Sequence, residues 1–77
     1  MSQQLDLDHE FLTWEDSYAI ALALMKRFPQ IDLTDVSLGM IYDWTLALPQ
    51  FKDERELANE PILTAIFQEW YEEVNVL

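Results

Sequence analysis

The chain has no cysteine, one glycine, one histidine and only 4 Lys+Arg. Each shortage excludes a class of chemistry. Without cysteine there is no disulfide, thiolate zinc site, cysteine-ligated cluster or catalytic thiol. A small domain that needs no disulfide suits a reducing compartment, so a cytoplasmic location is expected. One glycine cannot build a phosphate-cradling loop. The lone His9 sits in a polar arm between Asp8 and Glu10, so no hydroxyl in the folded part has an imidazole base. It reads either as a solvated terminal residue or as a metal ligand with flanking carboxylates. The expectation is a protein that is not an enzyme. Against those few cations stand 15 Asp+Glu, for a formal net charge of −11. Phosphate backbones and anionic lipids are held by Lys and Arg, so neither nucleic acid nor membrane is an expected partner. No apolar run is long enough to span a bilayer. The opening MSQQLDLDHE has neither the basic start nor the apolar stretch of a signal peptide.

What the chain does have is the means to fold. Of its 77 residues 51% are hydrophobic and 13% aromatic, whereas disordered acidic chains are poor in aromatics. The length allows one small domain with a modest core. Basic protein patches or hard cations are the partners such a charge fits.

Residues 1–10 read as a flexible polar arm and residues 11–77 as a single helical domain. A first helix is expected over residues 14–28, with Thr13 as N-cap and Asp16 completing an acidic capping box. Its apolar face is Tyr18, Ala21, Met25 and Phe28, widened by Ile20, Ala23 and Leu24. Pro29 stops it. Asp32 with Asp35 signals one short helical turn. Residues 36–38 read as extended, and Gly39 as a turn or cap. A second helix over residues 40–48 carries Met40, Trp44 and Leu48 in register, with Ile41 beside them and Pro49 at its end. Residues 50–58 are a charged connector anchored by Phe51. Asn59 caps a third helix, Pro61 fits its first turn, and Ile62, Ile66 and Trp70 line one face with Leu63 and Phe67 alongside. The fold class is mainly α: a small three-helix, winged-helix-like single domain with short extended links. The three tryptophans, one per helix, are expected in the core.

The acids fall in loose groups along the chain. None has EF-hand spacing, and no Glu-x-x-His pair of a diiron bundle is present. Two readings stand side by side: a solvated face that keeps the protein soluble, and weak, partly hydrated binding of a cation by surface carboxylates.

Trp14-Glu-Asp16-Ser17, Phe28-Pro29, Asp32, Trp44, Phe51, Asn59-Glu60 and Trp70-x-Glu72-Glu73 resemble, in order and without a gap between the tryptophans, the IscX family. These are small acidic accessory proteins of bacterial iron–sulfur cluster assembly. The resemblance covers residues 12–73. It implies a winged-helix-like fold without DNA binding and an adaptor role. It also implies docking through an acidic face onto a basic patch of a cysteine desulfurase, in competition with the bacterial frataxin homologue. Weak, labile iron (Fe2+/Fe3+) on surface carboxylates is implied as well. Carried onto this chain, the iron-binding candidates are Asp16, Asp32, Asp53 and Glu54. The partner-binding candidates are those four with Glu72 and Glu73. The pattern departs at Ala19, Leu22 and Lys26, where family members usually carry acids, and at Gly39-Met40 in place of Thr-Asp. Lys26 and Arg27 put positive charge where an acidic docking face is expected, which marks a divergent member.

The competing class is an acidic interaction module or nucleic-acid mimic that fills a basic groove of another protein and has no iron role.

Overall fold

The computed structural model describes residues 11–75. The expected arm over residues 1–10, with His9, lies outside them. Three α-helices follow one another: α1 (Ser17–Arg27), α2 (Leu38–Ala47) and α3 (Glu60–Val74). Single 3-10 turns interrupt the links at Leu33–Asp35 and Arg55–Leu57. Among the described residues the β-type pairing is one parallel bridge, Leu12 with Phe51, and no hairpin wing accompanies the helices. The mainly α, three-helix reading holds.

Local chemistry sets each boundary. Phe28 precedes Pro29 and leaves helical geometry at φ −129, ψ 65, since the proline ring crowds the α-region of the residue before it. Its N–H still closes the last turn on the Leu24 carbonyl at 2.8 Å. Leu48 turns out of α2 ahead of Pro49 in the same way, at ψ 129. Asn59 accepts from the Ile62 N–H at 2.9 Å, satisfying one of the orphan donors at the start of α3.

Both earlier helices pack on α3, α1 more extensively than α2. The core joins Ile20, Ala21 and Leu24 of α1, Ile41 of α2, and Ile66 and Trp70 of α3. Leu12, Trp14, Leu48 and Phe51 close it from the links. Each fully buried Ile, Leu or Trp removes enough apolar area from water to contribute roughly 1.5–3 kcal/mol. In a domain of this size a few such side chains decide whether it folds.

Several boundaries and faces differ from expectation. The first helix starts at Ser17, so Thr13 is not its N-cap and Trp14 is not helical. Thr13 and Asp16 do pair, but as a turn ahead of the helix: Asp16 Oδ2 accepts from the Thr13 N–H at 2.8 Å and from its hydroxyl at 3.2 Å. Tyr18 is 48% exposed, because Ile20 and Ala21 take the inward face. The second helix starts at Leu38, capped by Ser37, whose Oγ accepts from the Met40 N–H at 3.1 Å. Gly39 is therefore an ordinary helical residue with no positive φ. The fully buried positions of α2 are Ile41 and Thr45 rather than Met40 and Trp44. One tryptophan per helix gives way to Trp14 in a link, Trp44 half-buried in α2 and Trp70 buried in α3.

Candidate functional site

The acids are the chemistry this chain has in abundance. The backbone sorts those singled out by sequence into three places. The first is a corner around Trp14, where the start of the described chain meets the connector. Leu12 N–H donates to the Gln50 carbonyl at 2.8 Å, and Lys52 N–H donates to the Leu12 carbonyl at 2.9 Å. This clasp sets Trp14 over Phe51, edge to face at 4.6 Å, and parallel to Tyr42 at 6.1 Å. The indole N–H donates to the Glu54 carbonyl at 2.8 Å. A buried Trp without such an acceptor would leave a costly unpaired donor.

Asp53 completes the corner. Its Oδ2 accepts from the Trp14 N–H at 3.0 Å and its Oδ1 from the Glu54 N–H at 2.7 Å. Asp16, Asp53 and Glu54 are thus brought together around residues 13 and 14. Both carboxylate oxygens of Asp53, and one of Asp16, already hold backbone donors. The Glu54 side chain is exposed.

Asp32 is not part of that corner. It caps the 3-10 turn beyond the other end of α1, accepting from the Thr34 N–H at 3.0 Å and the Thr34 hydroxyl at 2.7 Å. The Thr34 hydroxyl, and then its N–H, lower the Asp32 pKa, because both donors favour the ionised form.

The third place is the last turn of α3. Glu72 is exposed. Glu73 accepts from the Tyr18 hydroxyl at 3.2 Å, tying α3 to the start of α1. The Glu73 charge, with desolvation, that hydrogen bond and Glu69, raises the Tyr18 pKa. Tyr71, 53% exposed, stacks along Phe67 at 6.5 Å beside these acids. Sequence named Glu72 and Glu73 as partner-binding candidates but placed Tyr18 on the buried face, and so missed its bond to Glu73. Its only sequence signal is a tyrosine at the second position of α1, which does not reveal a partner 55 residues away.

Among the described residues no three Asp, Glu or His side chains converge as a metal cage. The four iron-binding candidates are split between the Trp14 corner and the Asp32 turn. At both, backbone hydrogen bonds hold carboxylate oxygens that a tight inner-sphere ion would need. The donor set does not fit a tightly held metal. Among the described residues, too, no helix is long and apolar enough to cross a membrane.

Of the 4 Lys+Arg, Lys52 and Arg55 belong to the connector at the Trp14 corner, and the other two lie elsewhere. Lys26 and Arg27, in the last turn of α1, border an open depression of about 700 Å³ that also touches Leu48 and Gln50.

Comparison with known proteins agrees with the order of landmarks. The profile of the family described as "Iron-sulphur cluster assembly" matches residues 12–75, which is the described domain. The chain is also 34% identical over 62 residues to a Pseudomonas aeruginosa protein named Uncharacterized protein PA3808, covering 80% of this chain and 94% of the relative. A profile match from the Leu12 clasp to the end of α3, on a scaffold whose three tryptophans all pack, places the chain in the IscX family of iron–sulfur cluster assembly proteins.

Proposed function

We propose that this protein is a non-catalytic adaptor of cytoplasmic iron–sulfur cluster assembly that docks on a basic patch of the cysteine desulfurase. The observation that carries the reading is the family match across residues 12–75 on a chain with a net charge of −11. The exposed acids Asp32, Glu54 and Glu72 are the ones free to meet a cationic surface. Asp16 and Asp53 contribute their charge while holding the Trp14 corner. Charge complementarity of this kind speeds encounter and fixes orientation without a large apolar interface. Competition with the bacterial frataxin homologue follows if both use the same basic patch.

A binding titration against the desulfurase of the same organism tests the reading. A complex should form at low salt and weaken steeply as ionic strength approaches ~0.5 M, where the Debye length falls well below 10 Å. No complex at low salt overturns it. A complex with an unrelated basic protein instead would favour the interaction-module reading.

Iron enters as cargo rather than as a resident cofactor. The outward oxygens of Asp16, Asp32 and Glu54 are hard ligands suited to labile, largely hydrated iron. A spectroscopic iron titration decides this part separately. Absence of binding below about 1 mM, equivalent to only ~4 kcal/mol, removes a carrier role.

A further inference from the structure

We propose that the depression between α1 and the bend after α2 is a second docking surface, opposite in charge to the acids that dominate the molecule. Its occupant is an acidic segment of a partner protein with an apolar side chain next to its carboxylates. The depression measures about 700 Å³. Leu22, Lys26 and Arg27 wall it on one side and Leu48, Pro49 and Gln50 on the other. The chain has 15 Asp+Glu against 4 Lys+Arg. Lys26 and Arg27 nevertheless both face the depression, and among the described residues no acid lines it.

Three observations select the occupant. The first is the order of groups along α1. Residues four apart on a helix lie one above the other, so Lys26 follows Leu22, and Arg27 follows Ala23, along one wall. Both cations are exposed. The wall is apolar at one end and cationic at the other, about 6 Å apart at ~1.5 Å per residue. A matching segment carries its carboxylates about one helical turn from an apolar side chain. The second is the apolar surface itself. Leu22, 38% exposed, and Pro49, exposed, lie on opposite walls. A bare anion such as inorganic phosphate leaves that surface in water, whereas an apolar side chain covers it. The third is rigidity. The Gln50 carbonyl accepts from the Leu12 N–H at 2.8 Å, and the Leu48 carbonyl accepts from the Phe51 N–H at 3.1 Å. The far wall is held before anything binds, so docking orders little of this chain.

Competing occupants match less well. A basic segment is repelled by Lys26 and Arg27. A nucleic-acid strand needs several phosphates neutralised at once, and two cations in a chain of net charge −11 do not supply that. A second copy brings the same net charge of −11, which opposes its approach. An acidic segment on a partner that is not itself strongly acidic meets mainly these two cations, because charges beyond ~8 Å are screened at physiological salt. The surface is separate from the acids offered to a basic partner, so its test does not depend on the desulfurase.

The test follows backbone amide shifts by NMR in the full, isotope-enriched chain. The probe is the synthetic peptide Glu-Glu-Leu-Phe-Glu-Glu, with hexaglutamate and Lys-Lys-Leu-Phe-Lys-Lys as controls. The acidic, apolar peptide should shift the Leu22, Lys26, Arg27 and Gln50 amides with half-saturation below about 1 mM. Hexaglutamate should bind roughly tenfold more weakly, and the lysine peptide should leave these amides in place. The charge-reversed variant K26E/R27E should weaken the acidic peptide by roughly tenfold or more, with the Ile66 and Trp70 amides of α3 unmoved as a check that the fold is intact. Absence of these shifts in the parent chain overturns the proposal, as do shifts that K26E/R27E leaves unchanged. Equal binding of hexaglutamate overturns the apolar anchor and the proposal with it. Peptide binding that appears only in D6N/D8N shows that the chain's own start competes for the depression, and overturns it. Movement of the same amides on dilution, without peptide, assigns the surface to a second copy and overturns it as well.

Discussion

The Trp14 corner and the last turn of α3 carry the same kind of side chain and use it in opposite ways. At the corner, Asp53 is half-buried and both its oxygens hold backbone N–H groups. At the end of α3, Glu72 stands exposed. The number of acids in a chain is therefore a poor guide to the charge it can offer a partner. Some are committed to the fold, and only the rest are available for recognition.

The comparison can be broken first at its centre. Trp14 is 3% exposed and packs on Phe51 and Tyr42. Trp14→Ala should cost about 3–5 kcal/mol, the usual range for deleting a buried aromatic. That is a large share of the ~5–15 kcal/mol a typical domain has. Urea unfolding checks it, and an unchanged midpoint would show that the corner is not structural.

Asp53→Ala against Glu72→Gln separates the two uses of an acid directly. The first strands the part-buried Trp14 N–H, while water can replace the exposed bond from Glu54 N–H, and should destabilise by about 1–3 kcal/mol. The second should stay within about 0.5 kcal/mol, as exposed substitutions do. Low-salt association with a basic partner should rank them the other way once both variants are folded, with Glu72→Gln slowing the encounter. Equal stability losses would erase the distinction.

Thr45 sharpens the rule from the opposite side. Its hydroxyl is buried without a hydrogen-bond partner, so a polar atom is present in the core with no task. Thr45→Val should be neutral or stabilising by about 1 kcal/mol in thermal unfolding, because it removes an unpaired group at nearly constant shape. A clear loss would mean the hydroxyl has an unrecognised role.

The smallest effect is expected at Asp32, which is exposed. Its folded pKa lies below the ordinary 3.8. The stability it adds is therefore fully present above that value and is lost as pH falls through the folded one. An NMR titration of its carboxyl should move back toward 3.8 in Thr34→Ala. Identical titrations in both proteins would show that Thr34 is not the cause.

Legibility followed the range of the interactions. The third helix was readable because its signals are local: Asn59, Pro61 and the Ile62, Ile66 and Trp70 face lie within one element. The Asp32 turn was readable for the same reason. The start of α1 was misplaced because Thr13-x-x-Asp16 satisfies a helix start and a preceding turn equally well. The start of α2 was hidden because Ser37 is answered by the Met40 sulfur, which accepts from the Ser37 N–H at 3.4 Å, and not by the usual Glu or Gln. The splitting of the acids could not be read at all. The bonds from Trp14 to Asp53 and Glu54 span 39 and 40 residues, and no local pattern encodes them.

That separation also bears on time. The Leu12 and Phe51 bridge joins two links that flank α1 and α2, so the chain between must close before the bridge gains anything. The helices form from neighbouring residues and can be in place earlier. Damage to the bridge should then leave the folding rate nearly unchanged and raise the unfolding rate, as it does for contacts made after the transition state. Transient opening there would expose the amides of Leu12 and Lys52 to exchange before those of α3. The same opening would release Asp53 from the Trp14 N–H. How long this protein keeps its acids committed would be set by how seldom that one bridge parts.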